Sequence, residues 1–356
     1  MSSIRLALSV SSLIAGASAL FAASGVQAQQ AARAPDTVQA VPRYAVLPWK
    51  HPKGAQPAAG GLTTWNFDYT YSGKPYSDVF VGNPPSGAAT TTPTFIIPLT
   101  IVVSGQTFSN ATVQANGKTA LANTRASPIF KGVVDFTEGG ANLGKTQYED
   151  AFQRESFWPT VLTNTGYHVR LGAPTVLKAV RVDATGHGSV GKEFGVRVAL
   201  VDINWLDGQI QNIIAANPQI TAASIPIFEM YDTYETSNGC CIGGYHSYNG
   251  VETYAVFDYI GTSGVFSQDV SALSHEMGEW LDDPYTNNSS PCGIYEVGDP
   301  LEGDANYGDY AYAVGTMTYH LQDLAQPPYF GAPPSTSLGG RTTFQGTALS
   351  VCQNGS

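Results

Sequence analysis

Apolar residues along this chain fall into strand-like runs and helix-like stripes. Thr94-Phe-Ile-Ile-Pro-Leu-Thr-Ile-Val-Val103 is a nearly continuous apolar run of strand length, and Pro98 inside it predicts an edge or a bulge. Val196–Asn204 alternates apolar and polar positions, the period of a half-buried strand. Ser224–Tyr234 and Thr253–Ile260 also read as strands. Helical spacing takes over in three places. Gln147–Trp158 puts Tyr148, Ala151, Phe152 and Glu155 on one side and stops at Pro159. Asp207 is the expected cap of a helix from Gly208 to Ala216, with Ile210, Ile213 and Ile214 inward. Ser267 is the expected cap of a further helix that runs to about Asp282, and the Gly/Pro/Asn/Asp-rich chain beyond it reads mostly as loop. These elements predict an α+β fold, with a strand-rich N-terminal region over 61–190 and a second region, bearing the site helix, over 191–356.

The start of the chain changes the picture. Met1-Ser-Ser-Ile-Arg5 carries one positive charge, an uncharged stretch follows from Leu6 to Val26, and Val26-Gln27-Ala28 ends it. That is the three-part pattern of a secretory signal, with cleavage expected after Ala28. Ser and Gly dilute the apolar stretch and no basic cluster follows, which disfavours an anchor; no later segment reads as a membrane span, so none is expected in the mature form. The secreted or periplasmic protein then begins with an arm over 29–60, whose Pro/Gly/Ala stretch from Pro52 to Gly61 predicts partial disorder.

Charged residues make up only 13% of the chain and the net charge is −11, which disfavours nucleic acid and anionic membranes as partners. An extracellular peptide or polysaccharide is the expected substrate class. The 4 cysteines predict two disulfides in an oxidising compartment. Adjacent cysteines rarely bridge each other, so Cys240 and Cys241 are expected to pair with Cys292 and Cys352, in an order the sequence does not fix.

The densest chemistry lies in Ser274-His-Glu-Met-Gly-Glu-Trp-Leu-Asp-Asp-Pro284. On a helix His275 and Glu279 project side by side, and Val270, Leu273, Met277, Trp280 and Leu281 form the opposite apolar stripe. The arrangement is similar to the zinc-protease helix His-Glu-x-x-His, in which two histidines hold zinc and the Glu takes a proton from the metal-activated water. Here Glu279 replaces the second His, and Glu276 keeps the place of the base. Glu296 is the expected third ligand, and Asp299 the group that orients His275, by the spacing of thermolysin-like enzymes. Asp283 and His246 compete as ligands. Zn2+ is the leading ion; the carboxylate at 279 also admits Ca2+ or another divalent cation. The element order from Val196 to Asp282 is similar to the catalytic half of a zincin, where an edge strand beside the site helix binds extended substrate.

Three segments together resemble a family. Gly239-Cys-Cys-Ile-Gly-Gly-Tyr-His246, then Ser274-His-Glu-Met-Gly-Glu279 with Asp283-Pro284, then Glu296-Val-Gly-Asp-Pro-Leu-Glu302 follow one another in that order. They resemble the EXORDIUM/phosphate-induced proteins of plants and related secreted bacterial proteins, over about residues 225–305. Pro300 stands where the family segment often has Cys, so the disulfide pattern differs. The resemblance implies a secreted, wall- or matrix-associated protein. The expected function is a secreted metal-dependent hydrolase, with a zinc metallopeptidase as the leading form. The alternative is a non-catalytic extracellular or wall-associated binding protein with a structural cation site.

Overall fold

The computed structural model describes residues 43–46, 60–71, 73–138, 141–290, 293–294, 297–299, 309–322 and 324. The expected export signal, its cleavage point and most of the expected arm lie outside them. Within the arm's span, Arg43–Val46 forms a strand, β1.

The centre is a mixed sheet, built largely from the apolar runs. Its strands are β2 (Thr94–Val103), β3 (Val196–Asp202), β4 (Ile225–Tyr231), β5 (Thr233–Thr236), β6 (Ile242–Tyr248) and β7 (Thr253–Tyr259). They lie in the order β2-β4-β7-β6-β5-β3, and strand Gly188–Glu193 flanks β3. β2, β4 and β7 run parallel, whereas β6 is antiparallel to β7. β1 lies parallel to β6, with Val46 opposite His246.

Pro98 marks neither an edge nor a bulge. β2 is internal, and Pro98 sits where its neighbours change. Before it β2 pairs with β4 and Thr175–Val176; after it, with Gln106–Ser109 and Val180–Asp183. A residue without an N–H fits such a changeover.

Helices cover both faces of the sheet: α1 (Tyr148–Ser156), α2 (Ile203–Ala216) and α3 (Ser271–Asp282). Strand alternation sorts the side chains between two cores. Ile225 and Ile227 of β4 join Leu273, Met277 and Trp280 of α3 and Phe152 of α1. Phe228 and Met230 join Leu206, Ile210 and Ile214 of α2 on the other side. The whole is a mixed α+β structure.

Two expected caps are corrected. Asp202 caps α2, its carboxylate accepting the Trp205 N–H at 2.8 Å. β3 runs into α2 without a loop, so the cap falls on the last residue of the strand. Asp207 lies inside the helix and accepts the hydroxyls of Tyr254 at 2.7 Å and Tyr245 at 3.3 Å. Likewise α3 starts at Ser271, while the Ser267 hydroxyl donates to the Asp258 carbonyl at 2.9 Å and ties the approaching chain to the sheet.

The expected loop after α3 contains a hairpin of β8 (Asp309–Val314) and β9 (Met317–Gln322). β9 packs on α3, and its strands mix polar and small residues with tyrosines, so they lack the apolar density that marks a strand in sequence. Among the described residues no helix is long and apolar enough to cross a membrane.

Candidate metal centre

All 12 residues of α3 are buried. The apolar stripe does part of this, and Trp280 adds a bond from its indole N–H to Thr253 Oγ1 at 2.9 Å. The polar stripe is buried as well, against β6 and the segment around Gly298. Glycines make that closeness possible. A methyl group on Gly244 would stand 2.8 Å from the Val256 carbonyl oxygen and 3.0 Å from Glu276 Oε1. One on Gly298 would collide with the His275 ring.

Two histidines and three carboxylates meet here. His275 Nε2 lies 3.0 Å from Glu279 Oε1 and 3.5 Å from Asp299 Oδ1. Gly298 N–H donates to the same Glu279 oxygen at 3.2 Å. On the other side, His246 Nδ1 lies 3.3 Å from Glu276 Oε2 and 3.6 Å from Glu279 Oε2. Both sets, His275/Glu279/Asp299 and His246/Glu276/Glu279, are close enough for one ion each. The side chain of Asp299 is 33% exposed, against 2% or less for the other four, so the first set faces outward and the second inward.

Burial dominates the electrostatics. It pushes the Glu276 carboxyl well above its ordinary range, and Glu279 and Asp299 push the same way. His275 loses hydration too, but the negative charge of Glu279 and the bond to Asp299 outweigh this and hold its pKa well above the usual imidazole value. Burial lowers the pKa of His246. Partial burial, with the charge of Glu279, raises Asp299.

The sequence placed His275, Glu276 and Glu279 on one helix, and the fold adds Asp299 and His246 to them. Glu296 lies outside the described residues. Asp283 comes close through its main chain: its carbonyl faces His246 Nε2 at 3.1 Å. Its carboxylate instead accepts the N–H groups of Asn287 and Asn288 at 3.0 and 3.1 Å.

The cysteine pairing is corrected. Cys240 is bonded to Cys241, across a cis peptide that leaves their Cα atoms 3.0 Å apart. The expectation against adjacent pairing rested on the strain of the small ring that two neighbouring cysteines close. Cys292 and Cys352 lie outside the described residues.

Sequence reasoning missed other buried acids nearby. Glu235 of β5 and Asp258 of β7 face each other; burial raises Glu235 to about 7 and Asp258 well above its usual range. Glu149 of α1 is fully buried near His275, with both carboxylate oxygens lacking a hydrogen bond among the described residues. An acid in a tyrosine-rich strand or a polar helix turn reads as solvated, and only tertiary docking buries it. The one faint signal was the crowding of acids into segments that otherwise carry few charges.

Set against known proteins, the chain matches no family model, no curated protein and no solved structure.

Proposed function

We propose that this chain is a secreted metal-dependent hydrolase, acting on peptide, in which His275, Glu279 and Asp299 hold a divalent cation. One observation carries the proposal: an imidazole nitrogen and two carboxylates converge on one face of a buried helix, and the outermost of them is partly open to solvent. One imidazole with carboxylates suits Zn2+, and also admits Mn2+ or Ca2+. Three protein ligands with an open side are what a catalytic site needs. A cation bound there would polarise a scissile carbonyl and acidify water. Glu276, next to His275 in the chain, would take the proton, with His246 against its other side. Glu296, the third ligand expected from the sequence, stays a proposed alternative to Asp299 in that place. The parallel strands β2, β4 and β7, with antiparallel β6 beside the site helix, support a zincin-like arrangement, but β6 lies between β7 and β5 and is not the edge strand expected there.

A non-catalytic role has its own support. Glu276 is fully buried and lies against His246, which suits a structural cation site on a binding protein.

Metal content decides first. The purified full chain should carry near-stoichiometric Zn2+ by plasma mass spectrometry, and the Glu279→Gln and Asp299→Asn variants should lose it. The loaded chain should cleave members of a peptide library, and Glu276→Gln should abolish cleavage. Bound ion without hydrolysis would leave the structural role. A chain that binds no ion when folded would remove the hydrolase proposal.

A further inference from the structure

The two oxygens of Glu279 serve different neighbours. Oε1 faces His275 Nε2 at 3.0 Å, and Oε2 faces His246 Nδ1 at 3.6 Å. His246 determines what the second contact means. Its Nε2 lies 3.1 Å from the carbonyl oxygen of Asp283. A carbonyl only accepts, so Nε2 carries the hydrogen, and Nδ1 of the neutral ring presents a lone pair. That lone pair is aimed at two carboxylates, Glu276 Oε2 at 3.3 Å and Glu279 Oε2 at 3.6 Å, and all three side chains are buried. Acceptors that converge away from water repel one another unless a shared proton or a cation stands among them.

Three features indicate a metal ion. A histidine ligand characteristically donates its other ring N–H to a carbonyl or carboxylate, which fixes its tautomer and orientation. The Asp283 carbonyl does this for His246. The spacing also fits: donor atoms 2.0–2.1 Å from a tetrahedral ion stand about 3.3 Å apart. Glu276 contributes a third sign, because its Oε1 is buried with no hydrogen-bond partner among the described residues.

We propose that His246 Nδ1, Glu276 and Glu279 form a second cation position, and that Glu279 bridges it to the first. The class of ion is a divalent transition metal, Zn2+ or Mn2+, since one nitrogen and few oxygens suit it better than Ca2+, which takes six to eight oxygens. The inference rests on the single-cation proposal for the first position and changes one role in it: in the doubly loaded centre Glu276 is a ligand instead of the proton acceptor. Cations about 3.5–4 Å apart on opposite oxygens of one carboxylate stabilise charge on both sides of a displaced bond.

The test uses the full chain, stripped with a chelator and reloaded with Mn2+ at saturation. Two ions per chain are expected, with His246→Gln and Glu276→Gln each retaining one. His275→Gln should lose the other. The unmodified chain should also show an exchange-coupled manganese resonance rather than the signal of isolated ions. That readout needs no variant, so it decides even where a buried substitution prevents folding. One ion at saturation, or two without coupling, would overturn the bridged pair and leave the first position standing. No bound ion would remove both.

Discussion

Glu229 shows at the scale of one residue what burial does in this protein. It lies in the middle of β4, fully buried, beside the side chains of Asn110 and Thr124. Burial raises its pKa from 4.5 to about 8, and Asn110 and Thr124 offset this only in part. The sign of the linkage follows. A raised folded-state pKa means that the folded chain holds a proton the unfolded chain has lost between pH 4.5 and about 8. The contribution to stability is therefore full below the unfolded value and is lost as pH rises through the folded one. For Glu229 the slope is at most about 1.4 kcal/mol per pH unit. Denaturant titrations of Glu229→Gln should show a flatter decline than the parent chain from pH 5 to 8; parallel declines would mean that Glu229 is not the group responsible.

The elements explain why these acids tolerate their places. α3 is held on every side: by β6 and β7 beneath, by β9, and by α1, where Gln153 bonds Asp282 at 2.6 Å. Trp280 is its main apolar anchor. Trp280→Ala should cost about 3–5 kcal/mol in chemical unfolding. Thr253→Val, which keeps the shape but leaves the indole N–H unpaired, should cost about 1–3 kcal/mol. A negligible effect of the second change would show that water replaces the threonine. The periodicity of α3 and the runs that make β2, β4 and β7 were legible in the sequence, because one element determines each pattern. His275 and Glu279 were legible for the same reason. The place of His246 was not, since it depends on β6 lying antiparallel to β7 beneath the helix. Nor were Glu149, Glu235 and Asp258, whose burial comes from docking between distant segments. Asp202 was overlooked as a cap because the strand leads into the helix with no turn to announce it.

At the scale of the whole molecule, the centre links distant parts of the chain: β6, α3 and the segment around Asp299. A cation held by all of them stabilises the folded state by mass action, by about 2.7 kcal/mol when its free concentration is a hundredfold above Kd. Scanning calorimetry should show a higher Tm with added Zn2+ than after chelation, and Glu279→Gln should abolish the difference. Equal values for the parent chain would argue against tight binding to the folded form.

β1 has a consequence for anything that approaches this centre. Recognition by strand addition needs a sheet edge with unpaired N–H and C=O groups. Arg43–Val46 already lies along β6 and pairs with it as far as His246, with a register shift between Arg43 and Ala45. An extended peptide docking there would meet a resident strand. Because that strand is covalently tethered, it competes at a high local concentration, set by the linker and independent of how dilute the protein is. The chain thus carries its own competitor for the strand that bears His246.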